Sequence, residues 1–237
     1  MDLKRFFVDE KITDAKVKIT GDEFYHAIKV TRHKIGYKLI LCDNGTKDYY
    51  ATVTDIGPDY FTARIDEIKE NDTESDYSIT LFIANNKNLD EVIQKAIELG
   101  VTEVVPFYSQ HCNIDSIKKD RLKKIISESS KQCGRSRLAT VCDLISFDEM
   151  LLKAKNMQTF AFYEYERENK VRHSTLTQKN IGVIIGCEGG FSQEEIASFR
   201  QNGIQLYTLG KCILRVPTAV VSALTLINEK TDENSNF

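Results

Sequence analysis

The spacing of apolar residues changes character near residue 76. Before it, the runs YKLILC, YYATVTDI and FTARI alternate or cluster β-branched and aromatic side chains, and the turn signals Asp43-Asn44-Gly45 and Gly57-Pro58-Asp59 fall between them. Short strands joined by tight turns predict a small antiparallel barrel. One helix interrupts the strands: Thr20 and Glu23 have capping-box spacing, and Phe24, Ile28 and Val30 supply its apolar side. The stretch DEIKENDTESD, from Asp66 to Asp76, is polar, mostly acidic and without apolar period, so it reads as a linker. Two domains follow, 1–72 and 76–237.

Beyond the linker, strand and helix patterns alternate. The strand candidates are SITLFIA (Ser78 to Ala84), EVVPF, ATVCDLI, QTFAFY, IGVIIG and IQLYTL. Leu89, Val92, Ile93, Ala96 and Ile97 recur at helical spacing up to Gly100, and Arg121 to Cys133 forms a second helix. Such alternation predicts an α/β domain with a mainly parallel sheet and helices on both faces, whose ligands bind at the C-terminal strand ends.

Two segments stand out at those ends, VIIGCEGGFSQEE (Val183 to Glu195) and LGKCILRVPTA (Leu209 to Ala219). Each leads from a strand through glycine into a helix. Gly186, Gly189 and Gly190 allow close approach of backbone to a ligand, and Ser192 with Glu195 forms a capping box that starts a helix directly after the loop. From Thr218 the run TAVVSALTLIN reads as a buried, largely apolar helix, with Val220, Val221, Ala223, Leu224, Leu226 and Ile227 spread around its axis. One side of that helix therefore calls for a cover beyond a single sheet face, and a twofold-related copy is the simplest one.

Charge and cysteine usage narrow the function classes. The net charge of −3 argues against indiscriminate coating of nucleic acid. Locally the balance differs: between Lys118 and Arg137 eight basic residues (Lys118, Lys119, Arg121, Lys123, Lys124, Lys131, Arg135, Arg137) stand against Asp120 and Glu128, a balance of +6. Lys29, Arg32, His33 and Lys34 form a smaller cluster. Either group reads as a solvated helix face or as contacts to RNA phosphates. The six cysteines show no Cys-x-x-Cys and no histidine at metal spacing, so they read as reduced thiols with no metal site. No apolar run approaches a membrane span, and the first residues lack a signal-peptide core, so a cytoplasmic protein is expected.

The paired glycine loops resemble those of the SPOUT methyltransferases, and the whole chain is similar to the ribosomal RNA small subunit methyltransferase E family. MDLKRFFVD, HAIKVTR (His26 to Arg32), QKAIELGVTEVVPF (Gln94 to Phe107), the block Gln132-Cys133-Gly134-Arg135 and the two loops occur in the family's order. Departures from the family pattern are Cys187 for the proline of GPEGG, Cys212 for an arginine before ILR, Pro217 for a glutamate before TA, and Asn85-Asn86 for a lysine-glycine pair. The resemblance implies a SPOUT-type α/β knot preceded by a PUA-like β-barrel domain that binds RNA. It also implies a homodimer, S-adenosyl-L-methionine as cofactor, and methylation of uridine N3 in 16S ribosomal RNA of the small subunit.

On that reading Gly186, Gly189, Gly190, Leu209, Gly210, Ile213 and Leu214 grip the cofactor, largely through backbone. Glu188 bonds a ribose hydroxyl or braces its own loop, Glu164 reaches in from a third loop, and Thr218 contacts the cofactor or caps the last helix. Arg215 is the candidate catalytic group, orienting the base and stabilising its negative charge, with a surface ion pair as the alternative. Lys29, Arg32, Lys118, Lys119, Lys123, Lys124, Arg135 and Arg137 are the RNA-binding candidates. A nucleotide-binding enzyme is disfavoured because the loop lacks G-x-G-x-x-G spacing and carries a carboxylate. The remaining alternative is a SPOUT-fold RNA-binding protein that has lost or altered methylation.

Overall fold

The computed structural model describes residues 3–112 and 116–235. It divides into two compact units, one running to Glu74 and including Ser127–Leu138, the other comprising Ser75–Ile126 and everything from Ala139.

The first unit is built on β1 (Arg5–Phe7), β2 (Lys16–Thr20), β3 (Lys38–Cys42), β4 (Lys47–Ile56) and β5 (Tyr60–Glu70), in the order β1-β3-β4-β5-β2. Only β1 with β3 is parallel. Register shifts at Tyr50/Ala51 and Val53/Asp55 bend the long β4–β5 ribbon, since an extra residue on one strand sharpens local twist. The sheet curls as a half-barrel over Leu39, Leu41, Tyr49, Ala51, Val53, Phe61 and Ala63, with Phe6 and Phe24 completing the core.

Two expectations fail in this unit. Asp66 to Glu70 is strand rather than linker, paired with β4 as far as Lys47↔Glu70. Cross-strand backbone bonds hold those residues, and because their side chains are mostly exposed no apolar period betrays them. Thr20 does precede the helix α1 (Gly21–Tyr25), but its side chain makes no capping bond. Glu23 instead accepts a bond from Lys131 at 2.6 Å, a partner remote in sequence that displaces the local one. A π-helical turn, His26–Val30, follows.

Arg135 is not on the basic surface that its position in the charge run implies. Its side chain is 4 % exposed and pairs with Glu74, itself 3 % exposed, at 3.3 Å. Glu74 also accepts from the backbone N–H groups of Ser136 (3.0 Å) and Arg137 (2.9 Å). Removing one partner of a buried pair strands the other charge. Glu74→Ala should therefore lower the unfolding free energy by about 3 kcal/mol in chemical denaturation; a loss below about 1 kcal/mol would show that the guanidinium is sustained without it.

In the second unit β6 (Ser78–Ala84), β7 (Glu103–Phe107), β8 (Thr140–Val141), β9 (Gln158–Phe162), β10 (Asn180–Ile185) and β11 (Gln205–Tyr207) form one sheet in the order β11-β9-β10-β6-β7-β8. Every neighbouring pair is parallel. The helices are α2 (Leu89–Glu98), α4 (Phe147–Ala154), α5 (Gln193–Gln201) and α6 (Val216–Ser235), together with the first turns of α3 (Lys119–Cys133), whose residues from Ser127 belong to the first unit. Met150 and Leu151 of α4 and Ile196 and Phe199 of α5 cover one face, packing with Phe82, Val105 and Ile184. Leu81, Ile83 and Val183, which alternate to the other face, are equally buried. There α6 packs on β10 and on α2. Cover on both faces explains why β6 and β10 read as unbroken apolar runs.

Candidate functional site

Because β9, β10 and β11 are adjacent and parallel, the chain leaves all three at the same edge, and a cleft forms where their loops meet. The β9 side supplies Phe162, Tyr163 and Glu164. The β10 side supplies Ile185, Gly186, Cys187, Glu188 and Gly190, and the β11 side Leu209, Gly210, Cys212, Ile213, Leu214 and Arg215. Val216 and Ala219, in the first turns of α6, close the floor.

Each loop is held by identifiable bonds. The capping box forms as expected: Glu195 N–H donates to Ser192 Oγ (3.2 Å) and the Glu195 carboxylate accepts from Ser192 N–H (2.9 Å). The same buried carboxylate accepts from Ser109 Oγ (3.2 Å) and Gln110 N–H (2.9 Å), so it ties the segment after β7 to the β10 loop. Gly190 has φ +69°, and a Cβ built on it would lie 2.1 Å from Glu164 Oε1. The glycine is thus required twice, by its backbone angle and by the carboxylate beside it. On the third loop Arg167 Nη1 donates to the carbonyls of Gly210 (3.3 Å) and Lys211 (3.4 Å). Glu166 accepts three backbone N–H bonds, from Arg167, Glu168 and Asn169, and these hold its carboxyl below the usual range.

Most of the expected cofactor residues meet at this cleft: Glu164, Gly186, Glu188, Gly190, Leu209, Gly210, Ile213 and Leu214, with Arg215 exposed among them. Two do not line it. Gly189 faces away, where a Cβ would come within 2.7 Å of His111 Cβ. Its carbonyl lies 3.0 Å from His111 Nδ1. Thr218 is exposed in the first turn of α6, which begins at Val216, two residues before the expected start. Glu188 accepts a 2.9 Å bond from Asn88 Nδ2, the residue preceding α2, a geometry that suits a loop brace.

Sequence reasoning missed Phe162, Tyr163 and Arg167. Nothing local marks them, since they join the site only through the neighbouring order of β9, β10 and β11. The family departures at Asn85 and Asn86 are structurally satisfied: Asn85 Nδ2 donates to Ser116 O (3.3 Å), Asn86 Nδ2 to Ala84 O (2.8 Å), and Asn86 Oδ1 accepts from Asn88 N–H (2.9 Å). Pro217 sits in the first turn of α6, where a missing N–H costs nothing.

The basic residues separate into two groups. Lys119 pairs with Asp143 (2.7 Å), Arg121 with Asp90 and Lys131 with Glu23. Lys118, Lys123, Lys124, Lys29 and Arg32 are exposed, and Arg137 is half-buried. Arg32 has φ +56°, an uncommon angle for a residue other than glycine. Among the described residues no cluster of His, Cys, Asp or Glu could hold a metal ion, and no helix is long and apolar enough to cross a membrane.

Backbone-framed loops at parallel strand ends and a small curled β unit lie where two family models match this chain as an RNA methyltransferase. The family model described as RNA methyltransferase domain matches residues 72–228, and that described as RNA methyltransferase PUA domain matches residues 19–66. More narrowly, the chain belongs to the ribosomal RNA small subunit methyltransferase E family. It is 32 % identical to the member from Mesomycoplasma hyopneumoniae over 93 % of this chain and 97 % of that one. It is 27 % identical to the member from Rickettsia conorii over 96 % of each chain. The crystal structure of a family member from Neisseria gonorrhoeae bound to S-adenosyl methionine is 26 % identical and superimposes with a TM-score of 0.89, covering 96 % of this chain and 98 % of that one.

Proposed function

We propose that this protein methylates N3 of a uridine in 16S ribosomal RNA, in the cytoplasm, with S-adenosyl-L-methionine held in the cleft between the β9, β10 and β11 loops. The observation that carries the reading is that cleft itself, with its backbone-rich rim and apolar walls, in a family whose gonococcal member is crystallised with this cofactor.

The residues present suit such a ligand. Phe162, Ile185 and Val216 offer apolar surface to a purine, while exposed backbone at Gly186, Gly190, Leu209 and Gly210 offers donors and acceptors without obstructing side chains. Glu164 and Glu188 supply negative charge beside a cation and acceptors for hydroxyl groups. When bound, S-adenosyl-L-methionine supplies an already activated methyl group, so the protein's task is chiefly alignment. Uridine N3 carries a proton at neutral pH. The Arg215 guanidinium, exposed at the rim, hydrogen-bonds a base oxygen and stabilises the charge left as that proton departs. Lys29, Arg32, Lys118, Lys123 and Lys124 contribute phosphate contacts.

Homodimerisation belongs to the same proposal. In α6, Val221 and Leu226 remain only half-buried in the single chain, and they form the apolar surface a second copy would cover.

The test is nucleoside mass spectrometry of small-subunit ribosomal RNA after incubation with protein and cofactor. N3-methyluridine should appear, and Arg215→Ala should reduce its rate of formation by about 100-fold or more, the usual cost of losing one charge-stabilising donor. Methyl groups at another base position, or an undiminished rate in the variant, would sink this assignment.

A further inference from the structure

Tyr165 is 62 % exposed, on a turn that is held too firmly for the exposure to be looseness. Tyr163 N–H donates to Tyr207 O and Glu166 N–H to Tyr163 O, each at 3.1 Å, and Thr208 N–H donates to Asn169 O at 2.9 Å. The Glu166 carboxylate takes three more backbone N–H groups, and Arg167 grips the β11 loop. The ring is oriented as well. It meets Tyr163 with centroids 5.5 Å apart and planes at 64°, and Gln193 Nε2 of α5 bonds the Tyr163 hydroxyl at 3.4 Å. Rings so tilted cannot cover each other's two faces, so a flat face of Tyr165 stays open.

Tyr163 lines the cleft and Tyr165 does not, which places the open ring beside the cleft wall rather than inside it. On the β11 side Ile213 is 69 % exposed. The exposed charged residues of 163–170 and 208–215 are Arg167, Lys170, Lys211 and Arg215 against Glu168 alone. Apolar surface among cations suits an unpaired nucleotide, which brings a flat uncharged base and an anionic phosphate. A duplex keeps its base faces in the stack. A second copy of this chain, meeting the patch by twofold symmetry, would set the same cations against each other.

We propose that Tyr165 stacks on an unpaired RNA base adjacent to the one that enters the cleft, anchoring the strand while the target base is methylated; which base it takes rests on the function proposed above. The target must reach the cofactor inside the cleft, past Tyr163. Tyr165 lies outside the cleft, so a neighbouring base is the one within its reach. Stacking of that base is the same before and during methyl transfer. Its loss therefore weakens RNA binding and raises KM, with kcat little changed. Because the contact neutralises no phosphate, it leaves the salt dependence of binding as it is.

The test compares the full-length protein with Tyr165→Ala, Tyr165→Leu, Tyr165→Phe and Tyr165→Trp. Affinity for fluorescently labelled, unpaired small-subunit ribosomal RNA is read by anisotropy, beside KM and kcat for methyl transfer. The alanine and leucine variants should each weaken RNA binding and raise KM by about 10-fold, although leucine keeps apolar bulk against Tyr163; the phenylalanine and tryptophan variants should stay within about twofold of the original. S-adenosylmethionine affinity by calorimetry, the salt slope and binding to an RNA duplex should not change. An alanine variant with unaltered RNA affinity, a leucine variant that binds as well as the original, or an equal loss on duplex overturns the proposal. So does weakened self-association in light scattering with RNA affinity intact, which would give the ring to a second copy. RNA binding that depends on the ring, in a protein that methylates no uridine, would instead overturn the function proposed above and leave the stacking contact standing.

Discussion

Gly190→Val should abolish S-adenosylmethionine binding measured by calorimetry, a loss of at least 100-fold, while the protein stays folded. At φ +69° a β-branched residue is strained by about 1–2 kcal/mol, and its Cβ would sit 2.1 Å from Glu164 Oε1. Either the loop or the Glu164 carboxylate must leave, and both line the cleft. The strain is local and solvent lies close by, so the thermal midpoint should fall by only a few degrees, on the order of 1–2 kcal/mol. Gly189→Val is the informative contrast. Its side chain would strike His111 instead of the cleft, within 2.7 Å, so its effect on the cofactor should be weaker and should come through displacement of the segment after β7. Equal losses from the two variants would show that the whole loop, rather than one glycine, sets affinity.

Leu224→Asp should unfold the protein or lower its stability by about 4–5 kcal/mol, the upper end for losing a buried leucine. Val220, Ala223, Leu224 and Ile227 are all fully buried within the single chain, on the side where α6 meets β10 and α2. An aspartate there would remain ionised only at a large desolvation cost. The sequence pattern makes Leu224 look like a reporter of dimerisation, and the structure corrects this: its neighbours belong to its own chain. Val221→Asp and Leu226→Asp are the variants that test the proposed dimer, read by light scattering. They should weaken self-association while the thermal midpoint of the single chain changes little. A Leu224→Asp protein that stays folded with an unshifted melting curve would contradict the packing of α6 described above.

What the sequence by itself determined about this protein is what depends on neighbours along the chain. The switch from alternating to helical period separates a β-rich start from an α/β remainder, and each of the six strands of the parallel sheet overlaps an expected run, though β10 starts one residue early at Asn180 and β8 keeps only Thr140–Val141 of ATVCDLI. The Ser192–Glu195 box is legible because its two bonds close over three residues, and the loop glycines are legible because φ is a property of one residue. Thr20 and Glu23 carry the same signal and do not form the box. There a distant lysine, Lys131, takes the carboxylate. Only the tertiary structure decided such contests between a local partner and a remote one. It likewise decided that Arg135 points inward to Glu74, that Leu224 of α6 is buried within its own chain, that Phe162 and Tyr163 line the cleft, and that Arg167 braces the Gly210 loop. The cleft follows from strand order, β11-β9-β10-β6-β7-β8, which brings residues tens of positions apart into contact. Strand order is set by how the whole apolar surface is best buried, and no window of residues contains that sum.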